Sequence, residues 1–278
     1  MSAGAGRLQR LFGPLNTPIR DWAGRRVWIV GASSGIGEAL ALALARRGAR
    51  LALSARSADT LRAVCAACDE ARPAPVAERT HALALDLTDI DALVRAHDEL
   101  LAHWGGIDLV VFNAGTYRPL RAWELTTDAV RETLDVNLVG TMSGVAAVLP
   151  TLLAQGRGAL ALVGSVAGYG GLPKATVYGP SKAALINFAE VLHLDLAPRG
   201  IDVFLISPGF VATPLTAQND FTMPALLTPE QAAGAIVEGF ASGAFEIHFP
   251  KRFTCVLKLL QWLLRRVYFA LVRRATGL

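Results

Sequence analysis

Short, nearly continuous apolar runs alternate along this chain with longer stretches in which apolar residues recur every three or four positions. The runs predict strands at 26–30, 50–54, 81–85, 108–112, 159–163, 201–206 and 245–249. The helical periodicity predicts helices at 36–47, 58–71, 90–103, 127–153, 178–197 and 229–242. Six of the seven strand runs carry so few polar positions that both of their faces are expected to be buried. Strand–helix alternation of this kind predicts an α/β fold: one doubly wound domain of about seven parallel strands, with helices on both faces. The stretch 138–154 is uncharged, but its Thr, Ser, Gly and Pro150 mark a buried helix rather than a membrane span.

The ends of the chain differ from this pattern. Residues 1–25 read as an irregular lead-in without a signal-peptide pattern, and 26–250 as the domain. Residues 251–278 read as a basic amphipathic helix or pair of helices. Of a net charge of +4, this tail contributes +7 and no acid, leaving −3 for the rest. The basic pI therefore belongs to the tail and does not describe a nucleic-acid surface. Two readings of the tail stand. It packs on its own domain or across a dimer, or it lies on an anionic membrane surface. A hydrophobic content of 53% supports a large core. Cys65 and Cys68 form a C-x-x-C with no second pair, which points to buried thiols rather than a zinc or redox site. Three cysteines fit a reducing compartment, and the expected location is the cytoplasm, peripheral at the inner face of a membrane on the second reading of the tail.

The candidate chemistry begins where the first strand runs into Gly31-Ala32-Ser33-Ser34-Gly35-Ile36-Gly37 and then a helix. Glycines let backbone approach a pyrophosphate, and a helix N-terminus supplies N–H groups and a positive dipole. The alternative is a turn needed only for tight packing. After the second strand no Asp or Glu stands ready for a ribose 2′-hydroxyl. Arg56, beside Ser57, could instead pair with a 2′-phosphate, which favours NADP over NAD. Asp86 follows the third strand and Asn113-Ala114-Gly115 the fourth. Both fall at strand carboxyl ends, where open parallel sheets bind ligands; either could also be a plain turn.

Ser165 follows the fifth strand, and Tyr178 and Lys182 open the next helix four residues apart, on one face. A cation beside a phenol favours the phenolate and eases proton exchange. Asn137, an amide in a mostly apolar helix, needs hydrogen-bonding partners or holds a water. Taken in order, these motifs resemble the short-chain dehydrogenase/reductase family over about residues 25–249, with a Rossmann-type fold. The resemblance implies that Tyr178 is the proton donor or acceptor. It implies that Lys182 lowers the Tyr178 pKa and binds the nicotinamide ribose, that Ser165 bonds the substrate oxygen, and that Asn137 supports a water-linked relay. Pro208-Gly209, Val211 and Thr213 would line the nicotinamide end. The segment Ala55-Arg56-Ser57 looks like that of the NADP-preferring members. Val30 before Gly31, and Gly179-Pro180 between Tyr178 and Lys182, depart from the more frequent residues.

The expected activity is NADP(H)-dependent interconversion of a ketone or aldehyde and an alcohol, on a hydrophobic or lipid-like small molecule. Phe221, Met223, Leu226 and Leu227 would form an apolar pocket or pack into the core, with Tyr169, Gly170, Gly171 and Leu172 as an opposite wall. No metal is expected. The two long apolar helices suggest a homodimer or homotetramer. The alternatives are a non-catalytic NADPH-binding regulator and a membrane-surface scaffold.

Overall fold

A computed structural model describes residues 13–73 and 78–277. Its elements run β1 (Arg26–Val30), α1 (Gly35–Ala45), β2 (Arg50–Ala55), α2 (Ala58–Ala71), β3 (His81–Ala84), α3 (Ile90–Trp104), β4 (Leu109–Phe112), α4 (Thr127–Leu134), α5 (Gly140–Gln155), β5 (Gly158–Val163), α6 (Tyr178–Leu196), β6 (Ile201–Pro208), α7 (Pro229–Ser242), β7 (Glu246–Phe249), α8 (Lys251–Gln261) and α9 (Arg265–Thr276). The seven strands form one sheet in the order β3-β2-β1-β4-β5-β6-β7. Every pairing is parallel. The order reverses between β1 and β4, so a crevice opens at the carboxyl ends of those two strands.

The sheet is buried between two helical layers. On one face α1, α2 and α7 pack Leu40, Leu44, Leu61, Ile236 and Phe240 against Ile29, Leu53 and Phe204. On the other, α3, α5 and α6 pack Leu93, Leu100, Val148, Leu152 and Ala189 against Trp28, Val110, Leu160 and Leu205. Each fully buried side chain of this size contributes roughly 1.5–3 kcal/mol from apolar transfer. The central strands β1, β2, β4, β5 and β6 are buried almost throughout. The edge strands β3 and β7 alternate buried and part-exposed positions. Expecting six strands covered on both faces was therefore one too many, because a parallel sheet has two edges, and a strand there has a neighbour on one side only.

Helix limits follow local chemistry. Thr228 and Gln231 form a capping box around Pro229 at the start of α7, and Gly243 closes it in a left-handed conformation. Asp89 caps α3 through the Ala92 N–H at 2.9 Å. The predicted helix at 127–153 is three pieces: α4, a π-helical turn over Asp135–Val139, and α5. Its length and composition would suit a membrane span, but Gly144, Val145, Val148 and Leu152 are buried against the sheet. The described lead-in, 13–25, has no regular element yet is stitched to the domain. Asn16 donates to the Val203 carbonyl at 2.8 Å and accepts from its N–H at 3.2 Å, and Ile19 N–H donates to the Phe240 carbonyl at 2.8 Å. The rest of the predicted lead-in, 1–12, lies outside the described residues. Cys65 and Cys68 are buried in the core face of α2, where burial pushes their thiols up to about 11 and about 12, away from thiolate chemistry.

Candidate active site

The crevice at the β1/β4 switch is a cleft of about 910 Å³, within the usual range for small-molecule sites. Gly31, Ser33, Ser34, Gly35 and Ile36 form one wall, and Arg56, Asp86, Asn113, Ala114 and Gly115 line it further along. The glycine turn is fixed by backbone crowding. A Cβ on Gly31 would lie 2.4 Å from the Ala114 nitrogen, and one on Gly37 would lie 2.1 Å from the Gly31 oxygen. Asn113 then donates to that same Gly31 carbonyl at 2.5 Å, tying the β4 turn to the β1 turn. Gly37 is thus a packing glycine behind the cleft, while Gly31 and Gly35 face it. The turn is thus tightly packed behind, and its Gly31–Ile36 segment lies open to the cleft at the start of α1.

Asp86 likewise does two things. It accepts from the Thr88 N–H at 2.9 Å and hydroxyl at 2.8 Å, and these bonds hold its carboxyl below the usual range. It also lines the cleft. Arg56 is exposed at the carboxyl end of β2 and enters no ion pair among the described residues, leaving its guanidinium free to meet an anion. Ser57, expected beside it, turns away. Its hydroxyl caps α2 through Thr60, and it does not line the cleft. With open backbone at the turn and a cation 19 residues on, the residues fit a nicotinamide dinucleotide.

Ser165, Tyr178 and Lys182 come together in the same cleft, with Pro208, Gly209, Val211 and Thr213. Ser165 caps the short turn Val166–Gly168 by accepting from Ala167 N–H at 3.1 Å. Tyr178 opens α6, and Pro180 sits in its first turn, where no N–H is missed. Lys182 is buried one turn on. Its ammonium donates to the Val163 carbonyl at 2.8 Å and stands 5.7 Å from the centre of the Tyr178 ring. With no carboxylate against it, burial pushes Lys182 down to about 8. Burial pushes the Tyr178 phenol up to about 12, and hydrogen bonding with Ser165 pulls against that rise. Desolvation dominates, and Ser165 supplies the lowering contact.

Asn137 is fully buried and lies behind the cleft wall. Its amide accepts from Thr116 N–H at 2.7 Å and donates to the Thr116 carbonyl at 2.9 Å and the Ser181 hydroxyl at 3.2 Å. The π-helical turn aims it there, and so joins the turn after β4 to the helix that carries Tyr178 and Lys182. A Cβ on Gly115 would stand 3.3 Å from Asn137 Oδ1 and 3.7 Å from Lys182 Nζ, so Gly115 leaves only a narrow space in front of these two groups.

The expected substrate walls are placed differently. In the loop after β6, Pro214, Leu215, Thr216 and Gln218 line the cleft, whereas Phe221, Met223, Leu226 and Leu227 do not. Phe221 and Leu226 are exposed, and Leu227 packs on the core. Tyr169, Gly170 and Leu172 face the C-terminal helices, not the cleft. Tyr117 went unread in the sequence. Its ring meets Tyr178 edge-on at 4.9 Å, and its hydroxyl donates to Asn219 at 3.0 Å. An aromatic two residues past Asn113-Ala114-Gly115 was the available signal. Val136 and Val139, on the π-helical turn, also line the cleft, and periodicity does not announce a π turn.

Residues 25–223 match the model of a family described as short chain dehydrogenase. The chain belongs to the short-chain dehydrogenase family. An uncharacterized oxidoreductase of Myxococcus xanthus is 38% identical over 250 residues, which cover 90% of this chain and 97% of that one. A short-chain dehydrogenase from Sphingobium yanoikuyae in complex with NADPH superimposes with a TM-score of 0.74 at 28% identity, over 84% of this chain and 92% of its own. A short chain dehydrogenase/reductase from Burkholderia phymatum in complex with NAD gives 0.77 at 23% identity, over 87% and 94%, a likeness of fold. Within this short-chain dehydrogenase the family match ends at residue 223, so α7, β7, α8 and α9 lie beyond it.

Proposed function

We propose that this chain is an NADP(H)-dependent oxidoreductase that interconverts a ketone or aldehyde and an alcohol, with Tyr178 as the acid/base. The observation that carries the reading is the meeting of Ser165, Tyr178 and Lys182 in one cleft with the glycine turn. Arg56 supports NADP over NAD, since it is an unpaired cation where an NAD site would place an acid. When bound, the nicotinamide supplies or takes up the hydride. Tyr178 keeps its proton at neutral pH and is ready to give it to a substrate oxygen that gains charge. Ser165 holds the same oxygen. The Lys182 ammonium, positive through most of its population below about 8, stabilises the phenolate that remains and binds the ribose. Asn137 holds Ser181 and the Thr116 backbone in place, and supports a water-linked path that returns the proton.

Val136, Val139, Pro214 and Leu215 give the cleft apolar wall, which favours a hydrophobic substrate. Exposed Val139, Met142, Leu153, Val191 and Leu194 on α5, α6 and the π-helical turn support a homodimer or homotetramer. Free cysteines, two of them buried, support a reducing cytoplasm.

The test is NADPH consumption against ketones and aldehydes of increasing chain length, with Tyr178→Phe as the control. The variant should lose roughly 10²–10⁴-fold in rate while its NADPH affinity is unchanged. A rate that survives Tyr178→Phe removes the assignment. Tight NADPH binding without turnover on any carbonyl would favour the non-catalytic regulator.

A further inference from the structure

The C-terminal helices have two distinct sides. One side is seated on the domain. Tyr268 is buried, its hydroxyl donates to the Gly171 carbonyl at 2.9 Å, and a Cβ on Gly170 would lie 2.5 Å from that oxygen. Gln261 donates to the Tyr169 carbonyl at 2.5 Å, Lys258 pairs with Glu246, and Glu246 also accepts from Tyr169. Phe253 stacks on Phe210 at 5.8 Å, next to Gly209 of the cleft. The packing reading of the tail thus accounts for this side.

It does not account for the other side. Eight of the twenty exposed large apolar side chains among the described residues lie between Val256 and Leu271. Val256 and Leu259 stand at i and i+3 on α8, and Val267 and Leu271 at i and i+4 on α9, so each pair shares a helix face, while Leu263 and Leu264 are exposed in the break between the helices. Trp262, at the break between the helices, is 88% exposed. Of the seven cations in residues 251–278 only Lys258 has an ionic partner among the described residues.

We infer that the α8–α9 pair docks the protein on an anionic bilayer surface, with the Leu259–Leu264 ridge and Trp262 entering the interfacial layer and Lys251, Arg252, Arg265, Arg266, Arg273 and Arg274 meeting lipid phosphates. Charge decides between this occupant and a second copy of the chain. A two-fold interface over this ridge would set cations against their own copies with no acid from either tail to offset them. An anionic lipid surface supplies the missing countercharge, worth about 1 kcal/mol per basic residue, and Trp is at home at that depth. The seat of the pair gives docking a consequence. Its protein-facing side rests on the loop that directly follows Ser165 and on Phe210 beside Gly209, which sets the docked helices next to the segments that carry Ser165 and Gly209 into the cleft. On the oxidoreductase reading above, the substrate is then an apolar carbonyl or alcohol that partitions into lipid.

Flotation of the full chain with vesicles tests this. The protein should float with phosphatidylcholine vesicles that contain phosphatidylglycerol, stay behind with phosphatidylcholine alone, and release as salt rises. Arg265→Gln with Arg266→Gln should weaken partitioning about thirty-fold. Leu259→Ser with Leu264→Ser should weaken it further, while the unfolding midpoint and NADPH affinity match the wild type. Two results overturn the inference. One is a wild-type protein that ignores anionic vesicles; the other is partitioning that both double variants leave unchanged. A wild-type dimer that ignores vesicles and that the leucine variants convert to monomer would assign the ridge to a second copy. Flotation that persists in a protein with no Tyr178-dependent turnover would leave the docking in place and remove only the oxidoreductase reading.

Discussion

The two sides of the cleft are built in different ways. The cofactor side, from Gly31 to Gly115, is set by backbone. Gly31 and Gly37 sit where any Cβ would strike main-chain atoms, and Asn113 bridges two turns through a carbonyl. The substrate side, where Val136, Val139, Pro214 and Leu215 line the cleft, is braced by side-chain contacts between distant parts of the chain. Tyr117 reaches Asn219, Lys174 pairs with Asp220, and Tyr169 meets Glu246 and the C-terminal helices. A backbone-built wall tolerates almost no substitution. A side-chain-built wall can change its lining and keep its fold. That division suits an enzyme whose cofactor is constant and whose substrate is what distinguishes it from its relatives.

The comparison breaks if the cofactor side proves forgiving. Gly37→Ala would drive a Cβ to 2.1 Å from the Gly31 oxygen and 2.6 Å from Asn113 Nδ2. We expect a loss of about 1–3 kcal/mol or more in urea unfolding, as overpacking against backbone costs, together with loss of NADPH binding by fluorescence titration. Next in size is Lys182→Met. Turnover should fall about a hundred-fold or more, as for loss of a group that supports proton transfer. Its effect on stability has the opposite sign. The buried ammonium titrates at about 8 against 10.5 in the unfolded chain. Between those values the unfolded state holds the proton that the folded state has lost, so this residue's contribution to stability rises with pH. Wild type should be the less stable protein at pH 7, and its deficit relative to Lys182→Met should shrink from about pH 8 upward. A constant deficit across that range would mean that Lys182 is not desolvated.

Arg56→Glu sharpens the comparison at the far end of the cleft. Removing a charge-assisted contact should cost NADPH on the order of ten- to a hundred-fold in Kd, with NADH weakened little. An equal loss for both cofactors would show that Arg56 does not meet a 2′-phosphate.

The same division explains what could be read from the sequence. The sheet, most helices, the glycine turn, Ser165, Tyr178 and Lys182 were legible because each is local: a run, a period, or a motif a few residues long. The glycine turn could be placed without a structure because glycine is the residue that the backbone there permits. Four features were not legible. The π-helical turn that aims Asn137 looks like ordinary helix, since one inserted residue barely changes the apolar period. Ser57 follows Arg56 in sequence but serves α2, because a hydroxyl just before a helix has a nearer use as its cap. Phe221 and Leu226 carry no signal that separates facing a cleft from facing away from it. Tyr169 to Leu172 meet the C-terminal helices, a pairing nearly a hundred residues apart that local patterning does not encode.

The smallest expected effect tests the substrate side itself. Lys174 holds a left-handed backbone at φ 61°, and its ammonium reaches the Asp220 carboxylate at 2.5 Å, keeping that carboxyl below its usual range. This pair ties the loop after Ser165 to the loop after β6 at the surface. Asp220→Asn should leave the unfolding midpoint where it is, because water already serves the exposed carboxylate. It should leave NADPH affinity alone as well, since neither residue lines the cleft. What should move is KM, because the loop that carries Asn219, the partner of Tyr117, loses one of its two polar ties across the cleft. A KM that rises two- to three-fold, on the order expected for losing a weak surface tie, with kcat held, would place loop closure within substrate binding. An unchanged KM would show that Tyr117 and Asn219 hold that wall without help, and that the substrate side is more rigid than its side-chain construction suggests.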